Sequence, residues 1–348
     1  MEESELSVVM PNYNHGCYLP EALDAILAQS YQPSEVILID DNSTDNSLQI
    51  MQDYSVKNPI LHVYRNEENK GLIYSINRGL CLASGTYIYF AAADDRVLPE
   101  FFQKSMDLLK EYPEAGVCST LVRLIDESGK DKGLGKSPIF SHKPCFIPPS
   151  KVSRILLEYG YWNLGVTSIF RRQALREIGG FAAELHSSCD IFTGMVVALR
   201  YGGCFIPEAL AQWRIMPTGY YAKTSMNREH QIEMARYAGM LMCSQYRALF
   251  PSDYAKNFTN NRLFELGKAE WRSMCDQQKK FFMETLDTLC PHRSLYDTVV
   301  RGILLLMSAV QTIALKIYLL FRLRLVRFRL SDKMRKCFTK KKKGADRV

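Results

Sequence analysis

The 348-residue sequence predicts an α/β fold, a mostly parallel sheet flanked by helices, on three observations. Short apolar runs of strand length recur at 6–10, 36–39, 60–65 and 86–91. Segments of helical period separate them, and polar residues collect just past the strand ends. The first run, Leu6-Ser-Val-Val-Met10, is β-branched and short enough for a buried strand. Turn formers at 11–16 break it. Leu19, Leu23, Ile26 and Leu27 then recur at helical spacing from Pro20 to about Ser30, which gives a helix with one apolar face. The second run, 36–39, stops at Asp40-Asp41-Asn42-Ser43. This is a βαβ unit, and an open parallel sheet binds ligands in the crevice outside the carboxyl ends of its strands.

The chemistry at those ends is acidic. No Gly-x-Gly-x-x-Gly follows the first strand and no Gly-x-x-x-x-Gly-Lys-Ser/Thr occurs anywhere, so neither a dinucleotide fingerprint nor a P-loop is present. An aspartate at 40 or 41 suits the N3–H of a uracil or thymine ring, while the other member of the pair, with Asn42, Ser43 and Asp45, suits helix capping. The third strand, 60–65, runs into the polar loop 66–71. A helix over 72–83 follows and stops at Ser84-Gly85. The fourth strand, 86–91, delivers Asp94-Asp95. A carboxylate facing a diphosphate calls for a divalent cation between them; capping of the amphipathic helix 101–112 is the plainer reading.

Composition bounds the class. The chain is 47% hydrophobic, ample for a packed core. The acidic start, Met1-Glu-Glu-Ser-Glu5, has no basic n-region or apolar h-region, so no secretory signal is expected. Ten cysteines form no Cys-x-x-Cys pair, which argues against zinc and for reduced thiols in a cytosolic setting. The net charge of +7 is uneven: from Arg301 on, 14 basic residues meet 2 acidic ones, so the preceding 300 residues are net acidic.

At these residues the chain resembles the family 2 glycosyltransferases, nucleotide-sugar-dependent enzymes with the GT-A fold. The matching stretches are VVMPNYNHGCYLPEALDAILAQSYQPSEVILIDDNSTDNS at 8–47 and NKGLIYSINRGLCLASGTYIYFAAADD at 69–95. GVTSIFRRQALREIGGFAAEL at 165–185 and ALAQWRIMPTGYYAK at 209–223 follow in the same order. The resemblance implies that Pro11, Tyr13 and Asn14 line the base and ribose pocket, that Asp41 reads a uracil-like N3–H, and that Lys70 lies near the nucleotide. It implies Mn²⁺ or Mg²⁺ on Asp94, with Asp95 as a second candidate. The first acid of the family's Asp-x-Asp falls at Ala92, which puts ribose recognition in doubt. The family's base follows a Gly-Gly-Phe turn, here Gly179-Gly180-Phe181, usually as Glu-Asp; in this chain Cys189 replaces the Glu and Asp190 keeps the Asp. Asp190 is then expected to take the acceptor's proton in an inverting transfer, from the start of a helix over 191–200, where the helix dipole favours the ionised form. Arg214 is expected to reach the phosphates or else to form a structural salt bridge. Trp162 and Asn163 stand at an acceptor position, unless Trp162 belongs to the core.

The expected organisation is a GT-A domain over 1–225, a helical region over 226–300 and an apolar, basic end over 301–348. Residues 129–150, rich in Gly, Lys and Pro, read as a long loop on the active-site side, a candidate lid. The apolar stretch 303–321 would be about 28 Å long as a helix, barely the span of a bilayer. A spanning orientation would leave the catalytic domain outside the cytosol by the positive-inside rule, away from cytosolic nucleotide sugars. A helix lying in the membrane interface fits better, its basic tail on anionic headgroups, at the inner face of the membrane. Burial of that helix in a homo-oligomer is the alternative, and nucleic-acid binding is not expected. The functional expectation is a cytoplasmic, membrane-peripheral transferase of polysaccharide or surface-glycan synthesis. It would move a sugar from a UDP-sugar to a glycan or lipid-linked acceptor. Two alternatives are a polyprenyl-phosphate glycosyl synthase and a non-catalytic GT-A-like partner of another transferase.

Overall fold

A computed structural model describes residues 5–251 other than 162–164 and 218, together with Tyr254 and Phe258. The chain divides into two units, Met1–Pro251 and Ser252–Val348. The apolar stretch 303–321, the basic tail, the helical region beyond 251, Trp162 and Asn163 lie outside the described residues. Among the described residues no helix is long and apolar enough to cross a membrane.

The parallel half forms as its patterning dictates. Strands β1 (Leu6–Asn12), β2 (Glu35–Asp40) and β3 (Leu61–Arg65) alternate with helices α1 (Leu19–Leu27) and α2 (Ser47–Lys57). Helix α3 (Leu72–Leu82) leads into β4 (Tyr87–Phe90). β1 pairs in parallel with β2 on one side and β4 on the other, so the order in which strands are added reverses between β1 and β4. That switch point is where a crevice opens in a doubly wound sheet. β1 is buried along its whole length, as a central parallel strand must be. Helix α3 packs close to it because residue 79 is glycine: a Cβ there would stand 2.2 Å from Val9 Cγ1.

The second half is assembled from distant pieces. After the short β5 (Arg96–Val97) and α4 (Phe101–Glu111) come β6 (Val117–Ile125), β7 (Asp131–Leu134) and β8 (Cys145–Ile147). Then follow α5 (Pro149–Tyr159), β9 (Ser168–Arg171), α6 (Arg172–Glu177), α7 (Cys189–Tyr201) and β10 (Gly203–Arg214). The sheet order is β3-β2-β1-β4-β9-β6-β10-β5, with β9 antiparallel to both β4 and β6. Residues 129–150 are therefore not one long loop: β7 pairs with β6 and β8 pairs with β10. The strands are short and polar-flanked, and only their neighbours make them strands.

Tyr89, Phe101 and Phe102 anchor the core beneath β4, with edge-to-face ring contacts at 5.2 and 5.5 Å. Burying each ring contributes about 2 kcal/mol. Helices α8 (Tyr220–Met226) and α9 (Arg228–Cys243) belong to the first unit, α9 lying against the 183–188 turn. The expected boundary at 225 thus falls inside α8, and the helical stretch up to Pro251 covers the flank of the sheet domain.

Candidate active site

The turns after β1 and β2 brace each other. Pro11 is buried within β1, while Tyr13 is 44% exposed at the strand's mouth. Asn14 takes a left-handed backbone (φ 57°), which Asn tolerates better than most residues. Its Oδ1 accepts from the N–H of Thr44 at 2.8 Å and of Asp45 at 3.3 Å, and its own N–H donates to Ser43 Oγ at 3.1 Å. Asn14 therefore holds the second turn in place against the first.

Asp40 and Asp41 face different loops. Buried Asp40 accepts from the Ser43 N–H at 3.2–3.3 Å. Asp41 faces the loop after β3: Oδ1 accepts from Asn66 Nδ2 at 2.5 Å and the Lys70 N–H at 3.0 Å, and Oδ2 from the Gly71 N–H at 2.8 Å. A carboxylate has about four lone-pair sites, so three protein donors leave room for one more N–H. The Lys70 ammonium lies 5.1 Å from the centre of the Tyr74 ring. Asn66 was not singled out by the sequence reading; it also donates to Ser75 Oγ at 2.9 Å and so ties the Asp41 loop to α3.

Past β4 the two acids part. Asp95 is buried and accepts from the Arg214 N–H at 2.7 Å. Burial, reinforced by the neighbouring charge of Asp94, pushes its carboxyl well above the usual range, against the opposing Arg214 hydrogen bond. Asp95, the second candidate ligand, thus has its carboxylate enclosed and engaged by the protein. Asp94 is half-buried, and among the described residues no donor reaches its carboxylate. Nor is there any cluster of three or more His, Cys, Asp or Glu among the described residues. A hard divalent cation takes oxygen ligands, and the carboxylate of Asp94 would be the side chain free to offer one if a cation were held here. Ala92, where the resemblance places the first acid, offers only a backbone carbonyl, which accepts from the Asp95 N–H at 3.4 Å.

Arg214 departs from the expected phosphate contact. It is 4% exposed. Its Nε donates to the Asp94 carbonyl at 2.8 Å, and Nη1 donates to the carbonyls of Asp126 and Glu127 at 3.2 and 2.9 Å. Nη2 pairs with the Glu21 carboxylate, and the guanidinium stacks 4.7 Å from the centre of the Tyr18 ring. With its donors committed beneath the turn, it is the structural salt bridge of the two readings.

Among the described residues, backbone N–H groups hold Asp190. Asp190 stands in the first turn of α7, which begins at Cys189, with Ser188 as the capping residue. Oδ1 accepts from the Ile191 N–H and Oδ2 from the Gly165 N–H, both at 2.8 Å. A Cβ at residue 165 would lie 2.3 Å from Asp190 Oδ2, so only glycine admits this approach. The helix terminus was expected to dominate the charge of Asp190; burial instead outweighs these N–H bonds and raises its pKa. Burial likewise pushes the adjacent Cys189 thiol well up, leaving it an un-ionised neighbour. Two contacts connect this side to the donor side. Tyr89 of β4 donates its hydroxyl to the Val166 carbonyl at 3.1 Å, next to Gly165. Asn77 of α3 pins the Gly-Gly-Phe turn, donating to the Phe181 carbonyl at 2.8 Å and accepting from its N–H at 2.9 Å.

A parallel sheet with acids past its strand ends, completed by antiparallel strands and by a helix that starts with a further acid, is the architecture of GT-A glycosyltransferases. Residues 7–179 match the family model "Glycosyl transferase family 2". The chain belongs to that family of glycosyltransferases. It is 27% identical over 252 residues to an uncharacterized glycosyltransferase of Nostoc, covering 70% of this chain and 74% of that one. It spans less than half the length of several other curated glycosyltransferases that it matches. Among solved structures, Staphylococcus aureus TarS (residues 1–349) in complex with UDP-GlcNAc superposes with a TM-score of 0.65 at 21% identity, over 82% of this chain and 80% of that one. A mannosyltransferase of Pyrobaculum calidifontis, in complex with GDP-Man and Mn²⁺, superposes at 0.52 and 17% identity, over 91% and 87%. At these identities the structural likeness concerns the fold.

Proposed function

We propose that the protein is a divalent-cation-dependent inverting glycosyltransferase that moves a sugar from a UDP-sugar onto a glycan or lipid-linked acceptor. The observation that carries this reading is the open Asp94 carboxylate, partnerless among the described residues, at the same strand ends as the Asp41 pocket. The ligands in the structural relatives, a UDP-sugar in one and GDP-mannose with Mn²⁺ in the other, support the donor class and the cation. Asp41, with one acceptor site left, takes the base N–H, between exposed Tyr13 and the Lys70 loop. Asp94 holds the cation, Mn²⁺ or Mg²⁺, which when bound neutralises charge on the departing nucleoside diphosphate. Asp190 accepts the proton of the attacking acceptor hydroxyl. Its raised pKa suits a group that must hold that proton until turnover is complete. The basic end beyond 301 suits an anionic membrane surface at the inner face, near a lipid-linked acceptor.

Calorimetric titration of UDP, GDP and dTDP, with and without Mn²⁺, tests the reading on wild type and Asp94→Ala. UDP binding that needs Mn²⁺ and is lost in the variant is the expected result, with transfer activity reduced on the order of a thousandfold. Failure to bind any of the three would overturn it and favour a non-catalytic GT-A-like protein.

A further inference from the structure

On the reading that Asp94 holds a divalent cation, we infer that Glu21 and Arg214 are a positioning pair for that site. Neither touches the cation or the diphosphate; they act through the turn that carries Asp94.

The last residue of β10 grips this turn twice. The Arg214 backbone N–H holds the Asp95 carboxylate at 2.7 Å, and the side-chain Nε holds the Asp94 carbonyl at 2.8 Å. The far arm of the guanidinium holds the carbonyls of Asp126 and Glu127, in the turn between β6 and β7. One side chain thus clamps the cation turn to the hairpin turn beside it. A lysine in this position has no planar fork with which to hold both.

A buried guanidinium beside a cation site needs a counter-charge, because repulsion between like charges grows as water is excluded. Glu21 of α1 supplies it. One carboxylate oxygen pairs with Arg214 and the other with Arg96. Arg96 follows Asp95 in the chain and donates to the Gly129 carbonyl at 3.1 Å, in the same hairpin turn. A single carboxylate therefore balances two guanidiniums that flank the acidic turn from below. Without its charge the two cations would face the incoming metal unscreened. The tie is long-range, linking residues 193 positions apart, so no local pattern announces it.

The test uses the full chain with Mn²⁺ and UDP as probes, in wild type, Glu21→Gln and Arg214→Lys. Free Mn²⁺ is read by electron paramagnetic resonance, nucleotide binding by calorimetry, and the fold by thermal unfolding in EDTA. Both variants should bind Mn²⁺ in the presence of UDP about tenfold more weakly, the scale of groups that orient a ligand from behind. Wild-type Mn²⁺ affinity in both, with only the melting temperature lowered, would show mere structural bracing and overturn the inference. Glu21 lies 40% exposed at its side chain, so Glu21→Gln keeps the test alive where Arg214→Lys does not fold. Absence of cation-dependent UDP binding in wild type sinks the parent reading and this pair together; loss confined to no variant sinks the pair alone.

Discussion

The turn that carries Asp94 and the turn that seats Asp190 are built on opposite principles. Asp94 sits above a network of charged side chains, Arg214, Arg96 and Glu21, and its own carboxylate is left open. Among the described residues no Lys, Arg or His forms an ion pair with Asp190. Backbone N–H groups hold both of its oxygens, and the chain around it raises its pKa. The difference suits two tasks: an open carboxylate over a stiff base can bind an ion, and an enclosed carboxylate without a counter-ion can take a proton. Charge is managed by side chains at the Asp94 turn and by main chain and burial at Asp190.

The sharpest way to break this comparison is Asp190→Asn. It should lower kcat by about a thousandfold, the scale of general-base loss, with cation-dependent UDP binding unchanged in calorimetry. Activity retained in the variant would point to a phosphate acceptor that needs no base, as in a polyprenyl-phosphate glycosyl synthase. In wild type the acid limb of the rate profile should lie above the ordinary carboxylate range. The base works only when ionised, burial favours its neutral form, and activity is therefore lost as pH falls through the raised value.

Gly165→Ala sharpens the acceptor-side half. A methyl group 2.3 Å from Asp190 Oδ2 must displace the carboxylate. A misplacement near 1 Å costs about a hundredfold in rate, so kcat should fall by that order while nucleotide affinity holds. Steady-state kinetics beside a UDP titration separates the two.

The smallest effect is expected at the hairpin turn. Lys132 first, then Ser128, holds the Asp126 carboxyl below its usual range. A carboxyl whose pKa is depressed by folding stabilises the fold above its unfolded value, and that contribution is lost as pH falls through the folded one. Asp126→Asn should thus lower the melting temperature slightly at neutral pH and not at all in strong acid. Because the pair is solvent-exposed, salt should shrink the difference.

Much of the donor half was legible because its signals are local. The strand–turn–helix pattern of 6–45 and the paired aspartates at 40–41 and 94–95 each lie within a few residues. Within the first pair, Asp40 holds the Ser43 N–H in the turn before α2, not the start of that helix, and Asp41 faces the 66–71 loop. Arg214, by contrast, reads either as a phosphate contact or as half of a structural salt bridge, and nothing in its neighbours names Glu21 as the partner. The strands at 131–134 and 145–147 were equally silent, since their apolar content is too low to mark them without partners.

The sequence by itself determined the parallel unit, the places where acids stand, and the family, because backbone period and turn chemistry are written residue by residue. Only the tertiary structure decided which acid is open, which is enclosed and which cation is spent beneath the turn. Those outcomes depend on burial and on hydrogen-bond partners contributed from far along the chain, and a carboxylate's reactivity is set by what surrounds it.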